Sequence, residues 1–252
     1  MYHDLILSPT YGELILSDTL SYFVQSVGFT PKLTKPEADE FMSKFKHLGN
    51  TGLGVWHLGL KCKNKLLGVV SYGPTCFSVK RGWLASIAQK EGCSLIQLCR
   101  GGTAYDAPRG LASHLISLSN KILYKNKGHL LIVAYADTSL CEIGTIYQAC
   151  SAIYTGMTNP KAQANYIIEG RKMSGWQVRK RYGTREQSKL FEMDKNMQVL
   201  PLHKKHRYVM LAASPLKAHM LRKLLDPYMQ PYPKREKDGI EEMSVVGKDS
   251  AS

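Results

Sequence analysis

The sequence predicts an α/β protein in which a mixed sheet carries helices on both faces. Residues 129–137, HLLIVAYAD, form an apolar, β-branched run with a polar tip, the pattern of a strand buried on both faces. Around it, strand-like runs alternate with stretches of helical periodicity, the order that builds sheet-and-helix layers. Two further strand-like runs, GVWHLGLKC and KLLGVVSYG, are separated only by Lys63-Asn64, which reads as a tight hairpin and adds antiparallel pairing.

In chain order, Thr34 can cap a helix over residues 35–48. Glu37, Asp39 and Glu40 lie at its positive end, Lys44, Lys46 and His47 lie near its close, and Gly49-Asn50 ends it. The hairpin follows. Gly68 and Gly73 would weaken its second strand unless another group approaches the backbone there. A short helix is expected over residues 78–92, ended by Gly92, then a buried strand SLIQLCR finishing in Arg100, and a loop GGTAYDAPRG. LASHLISLSNKILYKN is an amphipathic helix whose apolar stripe is Leu111, Leu115, Leu118, Ile122 and Leu123. After the strand ending at Asp137, Ile146, Ala149 and Ile153 keep helical spacing up to a stop at Gly156. ANYIIEGRKM reads as a strand, SGWQVRKRYGT as a basic helix capped by Ser174, HRYVMLAA as a strand and LKAHMLRKLL as a helix. From Pro227 the chain is Pro-rich and then charged. Residues 1–233 are expected to form one domain, of which 1–50 is the least readable part, and 234–252 a disordered tail.

Composition narrows the class. At 252 residues the chain can bury one sizeable core or two small ones, and 44% hydrophobic content is that of an ordinary soluble protein. No apolar run approaches the ~18–20 residues of a membrane span, and the N-terminus lacks the basic start of a secretory signal. The cysteines (Cys62, Cys76, Cys93, Cys99, Cys141, Cys150) include no CxxC pair, which argues against a disulfide framework or zinc site and for a reducing cytoplasm. The formal net charge of +14 points to a polyanionic partner, most simply nucleic acid. Between Tyr166 and Arg207 eleven Lys/Arg face four Asp/Glu, so +7, half of the excess, comes from a sixth of the chain. Tyr166, Trp176 and Tyr182 are interleaved there with Arg171, Lys172, Arg179, Lys180 and Arg181, and Lys204, Lys205 and Arg207 follow. Cations for phosphates and flat faces for bases suit a nucleic-acid surface; a solvated charged helix with one anchoring aromatic would look the same.

Chemistry is expected beyond the carboxyl ends of the buried strands. Asp137 stands at such an end, although a strand-end Asp is also an ordinary helix cap. Tyr147 and Tyr154, seven residues apart, can share a helix face, as core aromatics also do. Arg100, and Arg109 and Gly110 beside the free N–H groups after Pro108, can form an anion site of the kind that holds a pyrophosphate. Trp56-His57 in the hairpin is a further candidate, or a half-buried structural pair.

LIQLCR, the amphipathic helix with Ser113, and YAD…GTIYQA…YTG together resemble the bacteriophage Mom-type adenine-modification proteins, within the superfamily of GNAT acyltransferase folds. The resemblance runs from about Trp56 to Pro233. It implies a GNAT-like, mostly antiparallel sheet that splays at its middle strands for an acyl-CoA-type donor. The implied reaction adds a carbamoylmethyl group to the N6 amine of adenine in double-stranded phage DNA, which evades host restriction in the host cytoplasm. The implied site residues are His57, Arg100, Ser113, Asp137 and Tyr147, with Tyr154 matching the tyrosine that protonates the departing thiolate in many such acyltransferases. An iron held by His57, Asp137 and Tyr147 is also implied. The chain departs from the family in having Cys141-Glu142 where Gly-His is frequent. It also lacks the QxxGxG signature, in place of which APRGLA puts Arg109, Gly110, Leu111 and Ala112 at the donor. The competing expectations are an N-acetyltransferase acting on a protein, RNA or small amine, and a nucleic-acid-binding protein with an inactive acyltransferase fold.

Overall fold

A computed structural model describes residues 27–45, 49–62, 65–75, 79, 82–158 and 164–234. The Lys63-Asn64 turn, the N-terminal segment and the tail beyond 234 lie outside the described residues. The main sheet contains β1 (Val27–Leu33), β2 (Trp56–Cys62), β3 (Lys65–Pro74), β4 (Ser94–Thr103), β5 (Leu130–Asp137), β6 (Ile153–Met157) and β10 (Lys205–Ala212), in the order β1-β2-β3-β4-β5-β10-β6. Every neighbouring pair is antiparallel except β4–β5, which is parallel. Parallel strands need a crossover. The helix α3 (Leu111–Lys127) supplies it.

β5 explains both layers. Leu130, Ile132, Ala134 and Ala136 join the core under α3, with Leu58, Tyr72, Leu98, Leu115 and Tyr208. Leu131 and Val133, on the alternate face, pack with Leu84 and Ala88 of α2 (Trp83–Lys90) and Leu221 and Leu225 of α7 (Pro215–Leu225). At the other end of that face Leu33 and Val69 meet Ala38, Phe41 and Met42 of α1 (Lys35–Phe45). The Thr34 cap forms as a capping box: the Thr34 amide donates to Glu37 Oε2 at 2.7 Å and the Glu37 amide to Thr34 Oγ1 at 3.4 Å.

Several boundaries differ from the expectation. Within the expected helix over 78–92, Val79 is helical and α2 runs from Trp83 to Lys90 with Gly82 as its N-cap. Gly101–Thr103 is no loop; it extends β4 along Gly68–Val70 of β3, and Gly68 lies against Leu115 and Thr103. The expected helix up to Gly156 ends as α4 (Thr145–Ala149). Ser151 at φ +53 then turns the chain so that Ile153–Met157 forms the edge strand β6 on β10. An open strand edge and β-branched residues outweigh a few positions of helical spacing.

Between β6 and β10 lies a second, three-stranded sheet, β7 (Ala164–Ile168), β8 (Arg171–Ser174) and β9 (Gln198–Pro201), in the order β8-β7-β9. The strand expected over 164–173 is thus a hairpin. Glu169 and Gly170 turn it with φ +51 and +71, as a two-residue turn with both central residues left-handed requires. Ser174 caps α5 (Gly175–Tyr182) in a capping box with Gln177, and α6 (Gln187–Met193) follows. Tyr166, Ile168, Met173, Val178, Leu190 and Met197 form a core of this unit's own. The Pro-rich segment after α7 is laid down on the main sheet: Tyr228 stacks on Trp83 with ring centroids 3.7 Å apart, and the Tyr232 hydroxyl donates to the Ala152 carbonyl at 2.8 Å.

Candidate functional site

β4 and β5 stay paired only from Ser94↔Leu130 to Gln97↔Val133. Beyond that point β4 follows β3 instead. Tyr72 pairs with Leu98 and Ser71 with Arg100, so Cys99 is an extra, bulged residue. A bulge bends its strand. The strands part toward their carboxyl ends, and a cavity of about 640 Å³ opens between them. Its walls are Gln97–Thr103 of β4, Tyr135–Asp137 of β5, residues 140–147, the start of α3 at Ala112, and Lys205.

Three of the candidate side chains meet there. Asp137 ends β5 and caps the turn Thr138–Leu140, accepting hydrogen bonds from the Ser139 amide at 3.1 Å and hydroxyl at 2.7 Å. It is therefore both the cap and a cavity wall. Its register partner on β10 is Lys205, whose Nζ reaches the carboxylate at 2.7 Å. Burial pushes the Asp137 carboxyl up, but the hydrogen bonds from Lys205 and Ser139, with the Lys205 charge, bring it below its usual value. Tyr147 projects from α4, its hydroxyl 3.4 Å from the Tyr135 carbonyl. Burial, and then the charge of Glu142, raise its pKa strongly, so it stays protonated; the cation of Arg100 acts in the opposite sense. Arg100 donates from Nη1 to the Cys99 carbonyl at 3.3 Å, while its Nε is buried with no hydrogen-bond partner. Burial holds the Cys99 thiol up at about 11, which makes it a poor nucleophile at neutral pH.

The other candidates fall elsewhere. His57 on β2 is buried, with Nδ1 2.9 Å from Ser71 Oγ, and is not among the cavity walls. Burial, followed by the charge of Lys35, lowers its pKa. Tyr154 does not share a helix with Tyr147. It sits on β6, its hydroxyl 2.8 Å from His206 Nδ1, away from the cavity walls. Ser113 lies in the first turn of α3 and donates to the Gly110 carbonyl at 2.9 Å; its neighbour Ala112 lines the cavity instead. The helix starts at Leu111, beyond Pro108, with Gly110 as N-cap at φ +87 and no side-chain cap; Arg109 is exposed there, and Leu111 belongs to the core.

An iron on His57, Asp137 and Tyr147 does not fit these positions. His57 is buried beside Ser71 on β2 and does not line the cavity that Asp137 and Tyr147 share. Among the described residues no group of three or more His, Cys, Asp or Glu could hold a metal.

The basic residues divide. Arg171 and Lys172 on β8 and Arg179, Lys180 and Arg181 on α5 are exposed, Arg181 pairing with Glu169 at 3.0 Å. Lys204 is exposed beside the cavity turn, its carbonyl accepting from Thr138 Oγ1 at 2.6 Å. Lys205 serves Asp137, and Arg207 is held by Thr155 at 2.9 and 3.0 Å with its guanidinium over Trp83. Trp176 lies on α5, whereas Tyr166 is core. Two residues that sequence reasoning missed hold the loop before α4. Tyr208 donates to the Ile143 carbonyl, and Gln148 Nε2 reaches that carbonyl and the Tyr208 hydroxyl, each at 3.2 Å. Tyr208 showed only as a polar group inside an apolar run, and Gln148 only as part of the GTIYQA motif.

Comparison with known proteins gives one match by sequence family: the model of the Mom protein family covers residues 32–234. No curated protein matches the chain significantly. Among solved structures, NAA60 of Arabidopsis thaliana in complex with acetyl-CoA aligns at 11% identity with a TM-score of 0.43, covering 73% of this chain and 98% of that one. A variant of the SpeG spermidine N-acetyltransferase of Vibrio cholerae aligns at 9% identity and TM-score 0.41, covering 74% and 94%. A GNAT family acetyltransferase from Elizabethkingia anophelis with acetyl-CoA bound aligns at 11% identity and TM-score 0.36, covering 73% and 97%.

Proposed function

The chain belongs to the Mom protein family, and from that premise we propose that it is a transferase acting on the N6 amine of adenine in double-stranded DNA. The group added is of the carbamoylmethyl type, and its effect is to shield phage DNA from host restriction. The observation that carries the proposal is the cavity between β4 and β5, lined by an ionised Asp137, a protonated Tyr147 and Arg100, whose buried Nε has no hydrogen-bond partner.

The N6 amine is conjugated with the ring and a weak nucleophile, so it has to be exposed and oriented. Exposure from a duplex means flipping the base into a pocket, which costs a few kcal/mol. Asp137, fixed by Lys205 and Ser139, accepts a hydrogen bond from the amine and aims its nitrogen. Its lowered pKa makes it a dependable anion and a weak base, so orientation is its larger contribution. Tyr147 keeps its proton and donates to negative charge that develops on the reacting or leaving group. The buried Nε of Arg100, which lacks an acceptor at a cost of about 1–3 kcal/mol, gains one from a carbonyl or anionic oxygen of the donor. The start of α3, whose Ala112 lines the cavity, has no side-chain cap, and a Cβ at Gly110 would meet nothing within 4 Å. That is room and hydrogen-bonding capacity for a pyrophosphate held by Arg109, Gly110 and the Ala112 amide. An acyl-CoA-type donor bound there would supply an activated acyl group, with the CoA thiol as leaving group. Direct transfer would give an N6-acyl adenine, and the carbamoylmethyl product, joined to N6 through CH2, would require a later rearrangement of that acyl group. The exposed cations of β8 and α5, with Lys204, suit the duplex backbone.

Nucleoside mass spectrometry of DNA from cells expressing the protein tests this reading. A new adenosine mass is expected with the wild type and none with Asp137→Ala. An unchanged adenosine profile, with soluble wild-type protein and cell extract supplying donors, would overturn it.

A further inference from the structure

We propose that Leu53 is a wedge that enters the base stack beside the flipped adenine, presented by a turn braced for the purpose. The inference deepens the DNA-modifying reading above and rests on it. Leu53 is 75% exposed and Val55, two residues on, 56%. A single exposed leucine is ordinary on a protein surface. The distinguishing feature here is the backbone on either side of it, which hydrogen bonds tie down at Thr51, Gly52, Gly54 and Val55.

Thr51 is fully buried, and both its amide and its hydroxyl donate to Asp39 Oδ1 at 2.7 Å. Lys35 Nζ donates to the same hydroxyl oxygen at 2.9 Å. The Gly52 amide donates to Asn50 Oδ1 at 2.8 Å, the Gly54 amide returns to the Thr51 carbonyl at 3.2 Å, and the Val55 amide joins the Tyr72 carbonyl at 2.7 Å. Leu53's own carbonyl oxygen presses on Gly73, where any Cβ would overlap it.

The turn also rides on the cavity wall. A Cβ on Gly52 would stand 3.7 Å from Arg100 Nε, and one on Gly73 3.2 Å from Cys99 Sγ; Arg100 and Cys99 both line the cavity. An apolar tip is thus held out beside the place proposed for the extruded base. When a base leaves a duplex, its neighbours lose a stacking face and the base tends to return. An apolar side chain filling the gap offsets the first and blocks the second. Rigidity matters because a wedge on a loose loop would lose entropy on insertion.

The test uses the full chain and duplexes carrying 2-aminopurine in place of adenine in every flanking context, since its fluorescence rises on unstacking. Wild-type protein is expected to raise it and Leu53→Ala to lose the rise. Modification of paired duplex should fall ~10–100-fold in Leu53→Ala, yet stay within about 3-fold when the target adenine faces an abasic site. Leu53→Met, still long and apolar, restores both signals. Wild-type fluorescence and rates in Leu53→Ala overturn the wedge, as does an equal loss on the unpaired target. A wild-type protein that neither unstacks nor modifies any adenine overturns the functional reading and the wedge with it, so the two failures are distinct.

Discussion

The Asp137 carboxyl is pushed up by burial and brought down by hydrogen bonds from Lys205 and Ser139 and by the Lys205 charge. Lys205→Met keeps most of the burial and removes the cation, so the carboxyl's pKa rises. If the reaction needs the carboxylate, the acid limb of kcat/KM moves to higher pH in the variant; in the wild type it lies below the ordinary 3.8. pH–rate profiles of the two proteins check this, and coincident acid limbs would remove Asp137's assigned role. The Lys205 side chain is 45% exposed, so the pair should contribute only about 0.2–1 kcal/mol to folding, and Tm should barely move. Asp137, Tyr147 and Arg100 were legible in the sequence because a strand tip and a short helix after it carry local signatures. Lys205 read as one more phosphate-binding cation, because strand register is not written in local composition.

Turns and strand edges carry the errors and the tightest constraints at the scale of elements. The helical spacing through Tyr154 was overridden by the free edge of β10, which left Tyr147 in the cavity and moved Tyr154 to a hydrogen bond with His206. Gly73 weakens β3 unless another group approaches its backbone, and the Leu53 carbonyl does. Gly73→Ala should therefore displace the turn at 51–54 and cost about 1–3 kcal/mol, as overpacking does. Urea denaturation measures it. Because the same turn abuts Arg100, the variant should also lose activity on paired duplex; wild-type stability and activity together would show that the turn yields freely.

For the whole molecule, the +14 charge matters through its distribution. Arg171 and Arg179 are exposed on the second sheet and its helix, which have a core of their own, and neither is a cavity wall. If they touch phosphates, DNA affinity should fall linearly with salt on logarithmic axes, and Arg171→Ala and Arg179→Ala should each reduce the slope by about 1. Turnover at saturating DNA should be unchanged. Equilibrium binding across a salt series checks this, and an unaltered slope would place the DNA elsewhere. No described helix is long and apolar enough to cross a membrane.

The sequence by itself determined the layers: a doubly buried β5, an amphipathic α3 and a cationic α5 follow from residue periodicity and charge, which are local properties. It also determined that Asp137 would stand at the carboxyl end of that buried strand. Only the tertiary structure decided that β4 bulges at Cys99 and leaves β5 after Gln97, and that Lys205 faces Asp137 while His57 turns to Ser71. Those outcomes depend on which strands pair and in what register, a competition among distant segments for hydrogen bonds and buried area that no single stretch of sequence encodes.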